Sequence, residues 1–186
     1  MNRICVYCGS RTSHQPIFGQ SADQLGKEIA KRCWGVVFGG GKIGMMGRVA
    51  EAALSQNGEV IGVIPTALKV KEVAHTGLSE LIETQNMHTR KAKMEELSHA
   101  FIVLPGGFGT LDEFFEILTW RQLGFHNKPI IIVDIDDYFS DLEQFIQRAV
   151  DEDYVRKSNL ELFHWVSTVE ESMTFLDGYF KKKNRL

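Results

Sequence analysis

The stretch Ala100-Phe101-Ile102-Val103-Leu104-Pro105-Gly106-Gly107-Phe108-Gly109-Thr110 decides the fold class of this 186-residue chain. Its first five residues are apolar without alternation, which is typical of a strand that is covered on both faces. Strands of this kind occur mainly in parallel sheets. The same pattern marks further predicted strands, which are Ile4–Tyr7, Val36–Phe38, Val60–Ile64, Leu81–Ile82, Ile130–Val133 and His164–Val166.

Helical periods separate these strands. Apolar residues recur at helical spacing in the ranges 18–29, 46–54, 142–150 and 169–180, and the third stripe places Phe145 on its buried face. The alternation of strands and helices predicts an α/β fold, a Rossmann-like doubly wound parallel sheet with helices on both faces. No repeat or linker divides the chain, so residues 1–186 are expected to form a single domain.

Composition excludes several classes of protein. The 21 Lys+Arg and 24 Asp+Glu residues give a net charge of −3, which argues against a nucleic-acid partner or an anionic membrane partner. No apolar run approaches the ~20 residues of a membrane span, and the N-terminus does not resemble a signal peptide. A cytoplasmic protein is therefore expected. Cys5 and Cys8 form a lone C-x-x-C without a second ligand pair, so we expect buried, unreactive thiols and no metal site.

The 17 glycines concentrate in loops that follow predicted strands. These loops carry Gly9-Ser10, Gly39-Gly40-Gly41 and Gly106–Gly109, and ligands of open α/β sheets bind at such strand ends. Gly39-x-Gly41-x-x-Gly44 matches the dinucleotide fingerprint literally, but it follows the second strand and the next strand ends without a carboxylate. NAD is therefore not expected. The triple glycine fits either close helix–strand packing or the close approach of a nucleotide.

The loop Gly106–Gly109 leads directly into a helix. Glycine N–H groups and a helix N-terminus together favour an anion, phosphate above all. Thr110-x-x-Glu113 also matches a capping box with Thr110 at the N-cap, which would give Glu113 a purely structural role. A carboxylate beside a phosphate is electrostatically costly, which favours a chemical role for it.

A third group of residues precedes this loop. Met87, Arg90, Lys91 and Met94 follow i, i+3, i+4 and i+7, which predicts one helix face. Two cations between two methionines suit an anionic, partly aromatic ligand. The alternative is a solvated basic face balanced by the neighbouring Glu95 and Glu96.

Taken together, Pro105-Gly106-Gly107-Phe108-Gly109-Thr110-Leu111-Asp112-Glu113 and Met87-His88-x-x-Arg90-Lys91-x-x-Met94 closely resemble motifs of the LOG (Lonely Guy) family. Members of this family are cytokinin riboside 5′-monophosphate phosphoribohydrolases, once labelled lysine decarboxylases. The resemblance implies hydrolysis of the N-glycosidic bond of adenosine 5′-monophosphates, AMP or its N6-prenylated forms, to free base and ribose 5-phosphate. It implies no cofactor.

The resemblance also assigns expected roles. Arg90 and Glu113 match the catalytic pair. The expected substrate-binding residues are Gly106, Gly107, Phe108, Gly109, Thr110, Lys91, Glu72, Thr119, Met87, Gly9, Ser10, Gly40 and Gly41. The family implies a homodimer. The helix predicted after the glycine loop is apolar around much of its circumference, which supports burial in a dimer interface. A core helix packed between the sheet and a neighbouring element would show the same pattern.

Two other functions remain open from the residues. The glycine loop would equally serve a nucleotide-binding module without turnover, or a phosphoribohydrolase for another nucleoside monophosphate. Lysine decarboxylation is rejected, because it needs pyridoxal phosphate on a Schiff-base lysine and no lysine stands in such a context.

Overall fold

The computed structural model describes residues 1–69 and 74–183. Seven strands lie in these ranges: β1 Arg3–Tyr7, β2 Gly35–Phe38, β3 Val60–Pro65, β4 Glu80–Thr84, β5 Ala100–Val103, β6 Ile130–Val133 and β7 His164–Val166. They form one sheet in the order β4-β3-β2-β1-β5-β6-β7, and all neighbouring pairs are parallel. The predicted strands and their parallel arrangement are confirmed.

Six α-helices lie in the same ranges, five between strands and the last after β7: α1 Pro16–Lys31, α2 Gly44–Leu54, α3 Met87–Leu97, α4 Phe108–Gln122, α5 Ser140–Asp151 and α6 Val169–Lys183. Helices α1, α2 and α6 pack on one face of the sheet, and α3, α4 and α5 pack on the other. This is the doubly wound α/β fold that the alternation predicts. Among the described residues, no helix combines the length and apolar character that a bilayer crossing requires.

Side chains of the central strands belong to two separate apolar clusters, one on each face of the sheet. In β1, Ile4 and Val6 join the cluster under α1 and α2, whereas Cys5 and Tyr7 join the cluster under α3 and α4. Because successive side chains of a strand point to opposite faces, both positions of the alternation are buried. This double burial explains the unbroken apolar runs in the sequence.

One predicted core position is wrong. Phe145 is 63% exposed, and Ile146 is the buried residue of α5. The five apolar residues of that stripe span an arc of about 140° at 3.6 residues per turn, with Phe145 at one margin. The strand β7 at the nearby sheet edge is three residues long, so the surface that α5 can cover is narrow.

The order of strands reverses between β1 and β5, which lie side by side at the centre of the sheet. The loops that follow these two strands therefore meet, and the N–H of Gly9 donates to the carbonyl of Pro105 over 3.0 Å. A crevice at such a reversal is the usual ligand position in open α/β sheets.

Candidate active site

A cavity of about 540 Å³ occupies this crevice. Its walls come from the loops after β1 and β5, the start of α2, one side of α3 and the loop after β6. The lining residues are Cys8–Ser13, Phe18, Met45, Met46, Leu68, Met87, Arg90, Pro105–Thr110, Glu113 and Tyr138.

Most of the residues proposed from sequence meet at this cavity. Those that line it are Gly9, Ser10, Met87, Arg90, Gly106, Gly107, Phe108, Gly109, Thr110 and Glu113. Gly40, Gly41, Lys91 and Thr119 are not among the lining residues in the described part of the chain. Glu72 lies outside the described residues.

The N-terminus of α4 points its unbonded N–H groups at the cavity wall. Gly107 is the N-cap in an extended conformation, and Phe108 is the first helical residue. Within the described ranges, the N–H groups of residues 107–110 donate no hydrogen bond. Unbonded N–H groups at a helix N-terminus carry partial positive charge and attract anions.

The predicted capping box is wrong. Thr110 is the third residue of α4 rather than its N-cap, because the extended conformation at Gly107 starts the helix three residues earlier. The buried Thr110 side chain lies against Gly106. Glu113 consequently stands in the second turn, where it contacts Arg90 instead of the helix start.

Arg90 and Glu113 form a buried ion pair at the cavity. Arg90 Nη2 lies 3.3 Å from Glu113 Oε1, and the two residues are 5% and 8% exposed. The guanidinium lies over Gly39, where any side chain would collide with it. Arg90 Nη1 contacts Met87 Sδ at 3.6 Å, and Nε is buried without a hydrogen-bond partner in the described part. A buried donor without a partner is costly, so this nitrogen has capacity for a ligand.

Lys91 faces helix α4 rather than the cavity. Its Nζ lies 3.0 Å from carboxylate oxygens of both Asp112 and Glu116. Burial lowers the pKa of Lys91, but hydrogen bonds to these two carboxylates outweigh burial and raise it overall. Adjacent helical residues point about 100° apart, so Arg90 and Lys91 reach different surroundings. Lys91 therefore ties α3 to α4.

The alternative of a solvated basic face does not describe α3. Arg90, Lys91 and Met94 are all buried. Glu95 pairs with Lys128, and Glu96 pairs with Lys93. These two carboxylates thus pair with Lys128 and with α3's own Lys93 rather than with Arg90 or Lys91.

The glycine loop after β2 serves packing inside the protein. Gly40 has φ +78°, and its carbonyl accepts from the N–H of His75 over 3.0 Å. A Cβ at Gly44 would lie 2.5 Å from backbone atoms of Ser10 and Arg11. The close approach that these glycines permit is between segments of the chain itself.

The two cysteines of the C-x-x-C are buried, as predicted. Burial raises the pKa of both the Cys5 and the Cys8 thiol, and the charge of Glu113 adds to this. Neutral buried thiols are poor nucleophiles and poor metal ligands. In the described ranges, no group of three or more His, Cys, Asp or Glu side chains could hold a metal ion.

Sequence reasoning missed part of the cavity wall. Phe18, Met45, Met46 and Leu68 supply the apolar part of the lining, here called the apolar wall, and Tyr138 lines the cavity from the loop after β6. Tyr138 follows a central strand of the sheet, so the rule that ligands bind at strand ends could have found it. The apolar residues carry no such signal, because their spacing fits the core equally well.

Relatives of known description resemble this chain over most of its length. The family described as "Possible lysine decarboxylase" matches residues 46–176. An Oryza sativa subsp. japonica protein named "Probable cytokinin riboside 5′-monophosphate phosphoribohydrolase" is 44% identical over 161 residues, 87% of this chain and 71% of that protein. An Arabidopsis thaliana cytokinin riboside 5′-monophosphate phosphoribohydrolase is 43% identical over 177 residues, 95% of this chain and 82% of that protein.

Solved structures share the fold at lower identity. The molybdenum cofactor binding protein of the phototrophic bacterium Rippkaea orientalis superposes with a TM-score of 0.73 and 22% identity. The match covers 96% of this chain and 97% of that one. At this identity the likeness extends to the fold alone.

Proposed function

The chain belongs to the LOG family, that of the cytokinin riboside 5′-monophosphate phosphoribohydrolases, and on this premise we propose its reaction. It hydrolyses the N-glycosidic bond of a nucleoside 5′-monophosphate and releases the free base and ribose 5-phosphate. The observation that carries the assignment to this cavity is the buried ion pair of Arg90 and Glu113 beside the N-terminus of α4.

The helix N-terminus is the proposed phosphate site. The N–H groups of residues 107–110 and the small side chains of the loop leave a positive surface for a dianion. Binding the phosphate away from the reacting carbon orients the sugar and lowers the entropic cost of reaction. This accounts for a monophosphate substrate rather than a nucleoside.

Glu113 is the proposed catalytic carboxylate. Departure of the base builds positive charge on the ribose, as in glycoside hydrolysis, and a buried carboxylate stabilises that charge strongly. Glu113 also orients the attacking water and accepts its proton. Arg90 pairs with Glu113 through Nη2 and keeps Nε for a hydrogen bond to the substrate.

The apolar wall is the proposed site of the base. Phe18, Met45, Met46 and Leu68 offer flat and adaptable apolar surface to a purine. An adenine, with or without an N6-prenyl group, fits this chemistry, so AMP and its N6-prenylated derivatives are the proposed substrates.

The family description does not imply decarboxylation here. A lysine that forms a Schiff base needs a lowered pKa to supply a neutral amine. Lys91 is the buried lysine of the described part, and its two carboxylate partners raise its pKa.

Turnover with variants tests the proposal. The protein is incubated with AMP and with N6-isopentenyl-AMP, and release of the base is followed by chromatography. Glu113→Gln and Arg90→Ala should each lower kcat/KM at least 100-fold, since each removes charge stabilisation from the transition state. Glu96→Gln removes an exposed carboxylate next to α3's own Lys93 and should keep the wild-type rate. Wild-type rates in both cavity variants would refute the catalytic assignment. Tight AMP binding without base release would instead favour a binding module.

A homodimer is the proposed assembly. Phe114 and Ile117 of α4 belong to the core. The apolar character of this helix therefore has a cause other than a dimer interface. Leu123 and Phe125 are 60% and 74% exposed just after the same helix. A second copy would cover this surface. Leu123→Asp should convert the dimer to a monomer, as measured by light scattering, and a monomeric wild type would remove the claim.

Residues 1–186 are proposed to act as one nucleotide-binding domain in the cytoplasm. Its three cysteines are free thiols, including the exposed Cys33, and free thiols suit a reducing compartment.

A further inference from the structure

Two successive residues of the loop after β6 lie in the left-handed region of backbone conformation. Asp136 and Asp137 both have a φ of 54°, the left-handed region that costs free energy for any residue with a Cβ. Two such residues in succession persist only where surrounding contacts enforce them, and strain of this kind concentrates at functional sites.

Two hydrogen bonds and two ring contacts hold this loop. Asp134 Oδ1 accepts a hydrogen bond from the N–H of Phe139 over 2.7 Å. The ring of Tyr138 packs edge-on against Phe18 and Phe139, with centroid separations of 5.4 Å and 4.9 Å. The Tyr138 hydroxyl then donates to the carbonyl oxygen of Gly106 over 2.7 Å. The strained turn therefore delivers one hydroxyl to one backbone carbonyl of the glycine loop.

That carbonyl belongs to the peptide that begins the anion site. A trans peptide is planar, so the carbonyl of Gly106 and the N–H of Gly107 point in opposite directions and turn together. Glycine on both sides of the peptide leaves its rotation weakly restrained. Gly107 is the N-cap of α4, where the N–H is unbonded in the described part. Fixing the carbonyl thus fixes the direction of the first donor of the phosphate site.

We infer that Tyr138 is a positioning residue, whose hydroxyl holds the 106–107 peptide so that the Gly107 N–H is directed to the substrate phosphate. The inference rests on the proposed function for the identity of the anion. It does not require turnover, because a phosphorylated sugar alone would be bound by the same N–H groups.

Tyr138→Phe isolates the hydroxyl, since the phenyl ring keeps the packing against Phe18 and Phe139. Calorimetric titration with ribose 5-phosphate should show an affinity about fivefold to tenfold weaker than that of the wild type, the loss of one oriented hydrogen bond. The affinity for free adenine should not change. In turnover of AMP, KM should rise by the same factor and kcat should stay within about twofold of wild type. Tyr154→Phe makes the same change at a tyrosine that is 88% exposed and should alter neither ligand's affinity.

The outcomes separate the inference from the proposed function. Equal weakening of ribose 5-phosphate and adenine, or a lowered melting temperature with unchanged affinities, would assign Tyr138 a merely structural role and overturn the inference. A wild type that does not bind ribose 5-phosphate would overturn it as well. A wild type that binds ribose 5-phosphate in a Tyr138-dependent way, yet releases no base from any nucleotide, would refute the proposed function and leave the inference standing.

Discussion

Residues 39–47, here called the packed loop, and residues 105–110, here called the open loop, both follow a central strand and carry five and three glycines, respectively. The atoms around those glycines differ between the two loops. A Cβ at Gly44 would lie 2.5 Å from the backbone of the β1 loop, and one at Gly47 would overlap the carbonyl oxygen of Lys42. A Cβ at Gly107 or Gly109 would meet no atom within 4 Å. A Cβ at Gly106 would collide with Thr110, so the open positions of the second loop are Gly107 and Gly109, beside a helix N-terminus.

The difference shows why a literal motif can mislead. Gly39-x-Gly41-x-x-Gly44 matches the dinucleotide fingerprint letter by letter, yet the Arg90 guanidinium fills the space at Gly39 and the loop after β1 fills the space at Gly44. The loop 105–110 matches no dinucleotide fingerprint and borders the cavity along its whole length. A glycine indicates a ligand where the space around it is open and it also borders a cavity, as at Gly107 and Gly109.

The largest effect is expected from adding a methyl group to the packed loop. Gly47→Ala forces the Lys42 backbone to shift, and overpacking of this severity costs about 3 kcal/mol, or about 10 °C of melting temperature for a chain of this length. Differential scanning calorimetry measures it. Gly178→Ala makes the same change in α6, where a Cβ meets no atom within 4 Å, and should stabilise by about 0.5 kcal/mol. Equal melting temperatures for the two variants would break the comparison.

A smaller effect, of a different kind, is expected in the open loop. Gly107→Ala should keep the melting temperature within about 2 °C of wild type, because its φ of −101° and ψ of −151° suit alanine and the Cβ meets nothing. Its methyl group would occupy the space of the proposed phosphate, so the dissociation constant for AMP should rise about tenfold or more. Isothermal titration measures it. Wild-type affinity would mean that the open space at Gly107 is not where the anion lies.

Much of the fold could be predicted from the sequence because burial on both faces leaves unbroken apolar runs. The central strands are buried on both sides, so their patterns are unambiguous. Phe145 could not be placed, because the margin of a helical apolar arc is exposed or buried according to the width of its neighbour. The start of α4 could not be placed either, because Thr-x-x-Glu fits a helix that begins at Gly107 as well as one that begins at Thr110.

The sequence predicts which motifs meet at the site, but not which neighbour every side chain on their helices contacts. The contact between Arg90 and Glu113 joins two motifs that sequence reasoning had paired. Lys91 is expected to contact substrate because it matches a substrate-contact position of the family, but one helical position rotates it to Asp112 and Glu116. Which neighbour a helix face meets depends on the packing of the helices, and a single sequence does not contain that information.

The smallest expected effect lies behind the packed loop, at His75. Its backbone N–H donates to Gly40, and its Nδ1 accepts from the N–H of Gly77 over 3.1 Å. Burial lowers the pKa of His75, as does the charge of Lys42, although Glu51 opposes them. A lowered folded pKa contributes stability above about pH 6.5, the unfolded value, and that contribution is lost as the pH falls through the folded pKa.

His75→Asn keeps an acceptor oxygen but cannot titrate in this range. It should be about 1 kcal/mol less stable at pH 7.5, and the difference from wild type should shrink as the pH falls toward about 5, since the variant lacks the acid-sensitive contribution. Urea unfolding at a series of pH values measures both curves, and the other histidines contribute equally to each. His88→Asn, at an exposed position, should reproduce the wild-type slope. Parallel curves for wild type and His75→Asn would show that the packed loop is held without the neutral imidazole, which would leave glycine packing alone to distinguish it from the open loop.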